Sequence, residues 1–122
     1  MKNKKLILIG AAALSLVLLA VAAPSALSAP TATLTASVQS QACQGGDNVN
    51  VTLTATLQPP QSNVRYTWDF NNDGIFDTAP SPNPTVTHRY PDEANVTAVV
   101  KVTKGTRSAT DSITFSTIRC GG

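Results

Sequence analysis

Residues 66–74 read Tyr-Thr-Trp-Asp-Phe-Asn-Asn-Asp-Gly, an alternating aromatic segment that runs directly into a polar turn. The alternation places Tyr66, Trp68 and Phe70 on one side of an extended chain, which indicates a strand with one face in an apolar core. The Asn, Asp and Gly residues that follow are turn formers, because Asn and Asp side chains bond nearby backbone groups and Gly adopts a positive φ. A second short segment, Thr-His-Arg-Tyr at residues 87–90, also alternates. Both segments predict β-structure.

The rest of the chain beyond residue 30 shows the same period of two. Residues 49–57 are the clearest case, since Val, Leu and Ala alternate there with Asn and Thr. Helical periodicity is absent, and the three prolines within residues 80–84 favour a crossing between strands rather than a central strand. Asp111 falls on the apolar side of the last predicted strand, so we expect a bulge or an edge position there. The pattern predicts an all-β sandwich of about seven short strands.

The N-terminus has the pattern of a secretory signal. Lysines precede an apolar run over residues 6–23, and small residues suitable for cleavage follow it. We therefore interpret residues 1–29 as a signal-peptide helix with a short spacer and residues 30–122 as one domain. The alternative is an uncleaved membrane anchor, because the apolar run is at the lower end of the about 17–25 residues that span a bilayer. The predicted locations are secreted, periplasmic or cell surface.

Charge argues against a nucleic acid partner. The chain has 9 Lys and Arg and 7 Asp and Glu, but Lys2, Lys4 and Lys5 belong to the predicted signal. The remaining 9 − 3 = 6 basic residues against 7 acidic ones give a net charge of −1. Binding to nucleic acid needs a concentrated basic face, which this composition does not supply.

Two cysteines, Cys43 and Cys120, lie near the ends of the predicted domain. One interpretation is a reactive or metal-binding thiol pair. The other is a structural disulfide, which an export signal favours because disulfides persist in oxidising compartments. A small domain with a modest core also gains from such a cross-link. We expect the disulfide.

The two segments described first resemble the signature of the PKD (polycystic kidney disease) domain, an immunoglobulin-like β-sandwich, in its bacterial form. The family's W-D-F-x-D-G pattern falls on Trp68, Asp69, Phe70, Asp73 and Gly74, with one extra residue in the turn. Its H-x-Y pattern falls on His88 and Tyr90. The sequence differs from the family at an Asn, residue 71 or 72, and at Ala94, where Gly is usual, and at Val96, where Tyr is usual.

This resemblance implies a non-catalytic extracellular module. Such modules contact proteins, hold surfaces apart or help enzymes engage insoluble polymers. We therefore expect a protein-interaction or adhesion role with an extracellular protein as partner, and no cofactor. The alternative is a carbohydrate-binding accessory module for an insoluble polysaccharide or cell wall. A membrane contact follows only if the N-terminal segment remains uncleaved.

The turn also contains a partial calcium pattern. Asp69, Asn71, Asp73 and Asp77 occupy positions 1, 3, 5 and 9 of a D-x-N-x-D-G-x-x-D loop, and Ca²⁺ prefers such oxygen ligands. Position 12 is Pro80, so the bidentate Glu of a helix-flanked calcium loop is absent. The alternative is that these side chains cap backbone amides while Gly74 adopts a positive φ. We expect capping and at most a weak effect of calcium.

The aromatic residues and the only histidine have two interpretations each. Trp68 and Tyr66 could form a sugar-binding platform, but an aromatic stripe on this strand is typical of a sandwich core. His88 could act as a general base only with a positioned nucleophile and an orienting acid, and no nucleophile motif occurs. We therefore expect no catalytic residues, a core role for Trp68 and a structural hydrogen bond for His88.

Overall fold

The computed structural model describes residues 26–27 and 32–121. Over this range the chain forms seven strands: β1 (Ala26–Leu27), β2 (Ala32–Cys43), β3 (Asn48–Gln58), β4 (Arg65–Asp69), β5 (Thr85–Pro91), β6 (Asn95–Lys104) and β7 (Arg107–Ser116). No helix in the described ranges is suited to crossing a membrane. The predicted signal helix lies outside these residues. The short strand β1 falls within the predicted spacer, and the boundary between residues 29 and 30 stays a prediction.

The strands form two antiparallel sheets. One has four strands in the order β1-β2-β3-β5, and the other has three in the order β4-β6-β7. Side chains of both sheets contribute to one buried apolar cluster, so the two sheets pack face to face. The predicted all-β sandwich is confirmed. The proline-containing segment of residues 70–84 crosses from the three-stranded sheet to the four-stranded sheet, as the sequence predicted.

The alternation in each strand sets the core. On β3, Val49, Val51 and Leu53 are fully buried, while Asn50 and Thr52 between them are only partly buried. On β6, Val100 and Val102 are likewise fully buried. These β-branched and aliphatic side chains suit a pleated, half-buried surface, which explains why both segments form strands. Trp68, on β4, is the largest side chain in this core.

Strand β4 is buried on both faces from Tyr66 to Asp69. Tyr66 and Trp68 face the core as predicted, but Thr67 and Asp69 on the opposite face are also buried. The covering segment is the crossing of residues 70–84, which places the Phe76 ring 5.0 Å from Nζ of Lys101, the residue opposite Thr67. Folding of this segment over the sheet therefore turns the outer face of β4 into a second small interior.

The edges of β2 and β7 are joined across the sandwich. Asp111 Oδ2 accepts a hydrogen bond from the Ala36 N–H at 2.8 Å, so this carboxylate pairs with the backbone of the neighbouring sheet. The Gln41 amide donates to the Ser116 carbonyl at 3.0 Å and accepts from the Ile118 N–H at 2.8 Å. Asp111 thus occupies the predicted edge position. The register of β6 and β7 is continuous, so the bulge proposed as the other explanation does not occur.

Candidate functional site: the Asp69 loop and the edge of β5

The Asp69 carboxylate organises the turn after β4. Asp69 is 2% exposed, and a buried carboxylate is costly unless donors surround it. Its Oδ1 accepts hydrogen bonds from the N–H groups of Asn71 and Asp73, both at 3.3 Å, and its Oδ2 accepts one from the Gly74 N–H at 2.9 Å. The carboxylate therefore binds the backbone of three turn residues to the end of β4.

These contacts also determine how Asp69 ionises. Burial by itself would raise the pKa of the carboxyl, because the charged form loses its hydration. The backbone N–H groups of Gly74, Asn71, Asp73 and Asn72 stabilise the charged form, and together they lower the pKa below its ordinary value. Asp69 is accordingly a fixed negative charge that holds the turn in shape.

Two other residues of the calcium pattern, Asp73 and Asp77, also cap backbone groups. Asp77 Oδ2 accepts from the Phe70 N–H at 2.8 Å, and Asp73 Oδ1 accepts from the Ile75 N–H at 2.9 Å. The Asn71 side-chain amide forms hydrogen bonds when its nitrogen faces the carboxylates, because this nitrogen then donates to Asp69 Oδ1 at 3.0 Å. In the described part of the chain, no group of three His, Cys, Asp or Glu side chains is arranged to hold a metal ion. The geometry fits capping, and a calcium effect that is at most weak stays a prediction.

Positive φ values explain two of the departures from the family signature. Asn72 has φ 56°, and Asn is one of the few residues that tolerates this region, so it substitutes for the usual Gly. Gly74 has the predicted positive φ, 87°. In the turn before β6 the positive φ of 51° falls on Glu93, one residue before Ala94, so that turn does not need Gly at position 94.

The two signature segments meet at an aromatic cluster. His88 stacks on Phe70 with ring centroids 4.0 Å apart and an interplanar angle of 11°, and it contacts Tyr90 edge-on at 4.7 Å. The Tyr90 hydroxyl donates to the Phe70 carbonyl at 2.8 Å. Burial, with the nearby charges of Asp77 and Asp69, raises the pKa of Tyr90, so the phenol remains a proton donor.

His88 has a structural environment. Burial lowers the pKa of its imidazole, and the neighbouring Asp77 charge only partly opposes this effect. We expected a hydrogen bond from this ring, but the described residues provide aromatic stacking instead. An open cavity of about 440 Å³ lies beside the ring, lined also by Asn71, Asp77 and Arg89. Its lining contains no Ser, Thr or Cys that could serve as a nucleophile for His88.

The aromatic side chains of the alternative sugar-binding platform are not exposed. The exposed fractions are 7% for Tyr66, 2% for Trp68, 7% for Phe70 and 5% for Tyr90. A sugar ring needs an accessible aromatic face on which to stack, and these side chains are occupied by core packing. The core interpretation of Trp68 therefore fits the structure.

Strand β5 presents a backbone edge that the sequence did not reveal. The Ala55 N–H donates to the Pro84 carbonyl, and every second residue from Pro84 onward therefore bonds to β3. The backbone N–H and C=O groups of Thr87 and Arg89 lie between these residues and point away from β3. No hydrogen bond to these outward groups comes from any residue that the structure describes. A hydrophobic pattern predicts which face is buried, but it does not predict which edge remains unpaired.

The cysteines form the predicted disulfide. Cys43 at the end of β2 is bonded to Cys120, with their Cα atoms 5.6 Å apart. The Cys120 N–H also donates to Asp92 Oδ2 at 2.8 Å. The bond thus fixes the segment after β7 to the opposite sheet, and the reactive-thiol alternative does not apply to this oxidised pair.

Two antiparallel sheets with a Trp on β4 between them define the chain as an immunoglobulin-like β-sandwich. The family model described as PKD domain matches residues 25–117. The chain therefore belongs to the PKD domain family, as the resemblance implied. No curated protein and no solved structure gives a significant match to the chain.

Proposed function

We propose that this chain is a non-catalytic extracellular module for protein interaction or adhesion. The observation that carries the proposal is the outer surface of β2, β3 and β5, which we name the threonine face. Hydroxyl groups pair across it, Thr52 with Thr87 at 3.0 Å and Thr54 with Thr85 at 3.1 Å. Arg89 is the only charged residue among the outward positions of these three strands.

A surface with a single charged side chain suits contact with another protein. The centres of protein interfaces are depleted in charged residues, because burying an unpaired charge is costly. The paired hydroxyls hold the Thr side chains in one arrangement, so little side-chain entropy is lost on binding. Family membership and the disulfide support an extracellular location, since disulfides persist in oxidising compartments.

The carbohydrate alternative has less support. It required an exposed aromatic cluster, and Tyr66, Trp68, Phe70 and Tyr90 are all buried. Of the remaining aromatic side chains, Phe76 lies near the Lys101 ammonium and Phe115 contacts Tyr90. A non-catalytic role is supported by the stacked environment of His88 and by the absence of a nucleophile from the cavity next to it.

The proposal is tested by binding of the exported, oxidised protein to the surface of its source cells. We expect saturable binding that is lost when the cells are first treated with a protease and retained when they are treated with glycan hydrolases. Thr52→Lys should weaken this binding about tenfold or more, because it places a charge in the centre of the threonine face. Thr114→Lys, on the outer face of the other sheet, is the matched control and should bind like the wild type. Binding that resists protease but not the hydrolases would contradict the proposal.

A further inference from the structure

The crossing lies next to one edge of β4 and one edge of β5, and these two edges differ in how their backbone groups are satisfied. The outward groups of β4 are fully used by the crossing: Tyr66 exchanges two hydrogen bonds with Ser81, and the Trp68 N–H donates to Thr78 Oγ1 at 2.9 Å. On β5 the Thr85 N–H is bound by Asn83 Oδ1, but no described residue reaches the outward N–H groups of Thr87 and Arg89. An unpaired row of this kind is a template for another strand.

Two cavities lie along this edge, one near each end of β5. The first is the cavity of about 440 Å³ next to His88, lined by β5 residues from His88 to Pro91. The second is about 110 Å³ and is lined by Thr85 and Val86 at the start of β5. Each cavity is lined by neighbouring β5 residues whose side chains point to opposite faces of the sheet, so each cavity reaches both faces. Neither cavity is lined by a residue of β3. The cavities therefore open at the edge that faces away from β3.

The smaller cavity contains a residue with an unused donor. Trp68 lines it, and the buried indole Nε1 of Trp68 has no hydrogen-bond partner within the described part of the chain. The indole Nε1 has almost no accessible surface, so a side chain that enters this cavity contacts the Trp68 ring and not the donor. The volume fits a short side chain or about three waters.

We propose that the edge of β5 binds an extended strand of a partner protein by β-augmentation. The partner strand pairs with the backbone of Thr87 and Arg89, and its inward side chains enter the two cavities. The residue in the smaller cavity has a short side chain such as Asn or Ser, because this cavity is only about 110 Å³. A carboxylate lies beside Arg89, the one charge on the threonine face. In this mode the backbone bonds supply affinity and the alternate side chains supply specificity.

This inference rests on the proposed function, because it assumes a protein partner. The competing interpretation is a solvated edge that Arg89 and the flanking Pro84 and Pro91 protect from aggregation. Adhesion through the threonine face alone is a separate possibility for the same module. The experiments below separate these three outcomes.

The probe is a pool of acetylated hexapeptides with Asp at the second position, Thr at the fourth and sixth, and varied residues elsewhere. The exported, ¹⁵N-labelled protein selects binders from this pool, and each binder is then titrated while amide chemical shifts are recorded. We expect shifts at the amides of Thr87 and Arg89 and at the Trp68 indole N–H. Failure to select any peptide, or shifts confined to β7, would overturn the inference.

Two variants test the contacts directly. Thr87→Pro removes an N–H that β3 does not use, so it should weaken peptide binding about tenfold, whereas Thr87→Val keeps the N–H and should bind like the wild type. Arg89→Glu should weaken binding of the Asp-containing peptide, and a Lys in place of that Asp should restore it. If Thr87→Pro misfolds, the Arg89 charge reversal still decides the outcome, because unchanged binding by Arg89→Glu would contradict the proposed pairing.

The same variants separate this inference from the proposed function. In the cell-surface assay, loss of binding by Thr87→Pro but not by Thr87→Val supports the edge, because both variants remove the Thr87 hydroxyl from the threonine face and only Thr87→Pro removes the backbone N–H. Protease-sensitive binding that Thr52→Lys abolishes and Thr87→Pro leaves unchanged would overturn the edge inference while the interaction role stands.

Discussion

The Tyr90 hydroxyl donates a hydrogen bond to the Phe70 carbonyl at 2.8 Å, across 20 residues of sequence. This contact joins the two segments that identify the family, because Phe70 ends the aromatic strand segment and Tyr90 belongs to the later His-x-Tyr segment. It also fixes the start of the Asp69 loop next to β5, where the larger cavity lies. One buried hydrogen bond thus relates the family signature to the candidate binding edge.

Replacing Tyr90 with Phe should destabilise the domain by about 1–3 kcal/mol, because the Phe70 carbonyl then remains buried without its donor. Urea unfolding of the oxidised protein measures this change. Tyr66→Phe is the matched control, since the Tyr66 hydroxyl has no hydrogen bond to any described residue and its loss should cost less. Equal effects of the two substitutions would show that the bond to Phe70 contributes little.

Asp69→Asn should lower the free energy of unfolding at pH 7 by about 1.5–3 kcal/mol, because the amide NH₂ cannot accept the hydrogen bonds of one carboxylate oxygen. The pKa of Asp69 is lowered in the folded state, so the unfolded chain binds more protons below pH about 4. Wild-type stability should therefore fall as the pH drops through this range, and the variant should show a shallower fall.

Asp47→Asn is the control for this substitution, because Asp47 is exposed and its carboxylate accepts no hydrogen bond from the described residues. It should change stability at pH 7 by at most about 0.5 kcal/mol. If the free energy of unfolding fell with pH at the same slope in Asp69→Asn and in wild type, the role of the Asp69 charge in holding the turn would be contradicted.

Reduction of Cys43–Cys120 should lower the melting temperature substantially. The bond closes a loop with a sequence separation of 77, for which chain entropy gives about 4.5 kcal/mol as an upper value. Thermal melts with and without reductant measure the effect, with thiol titration to confirm reduction. The double variant Cys43→Ser, Cys120→Ser should melt near the reduced protein and should not respond to reductant. An unchanged melt after confirmed reduction would show that the cross-link does not stabilise the fold.

Calcium should raise the melting temperature only slightly over a chelator. The oxygens of Asp69 already accept backbone N–H groups, and Pro80 occupies the position where a bidentate Glu would complete the site. Melts in calcium, in magnesium and in chelator provide the comparison. A rise of many degrees that is specific to calcium and absent from Asp73→Asn would establish a calcium site in this loop.

Sequence pattern was sufficient for the fold class and the buried faces because its signals are local. The alternation over residues 49–57 predicts the buried face of β3, and the turn residues around Gly74 predict a positive φ. The burial of Trp68 also follows from its place in the aromatic stripe. Each of these inferences needs only the residues within one strand or turn.

The remaining features depend on contacts between distant residues. Asp111 is a polar residue on an apolar face because it binds the Ala36 N–H, 75 residues away, and no local pattern encodes that partner. The burial of Asp69 depends on the crossing that folds back over β4. The unpaired edge of β5 results from strand order, which alternation does not determine.

The most direct test of the interaction role is co-sedimentation of the exported, oxidised protein with insoluble chitin, cellulose and peptidoglycan, in parallel with protease-treated and untreated cell surfaces. Our account predicts no saturable binding to any of the three polymers and saturable binding to the untreated surface that protease removes. Saturable binding to one of the purified polymers would contradict the account and establish the carbohydrate alternative.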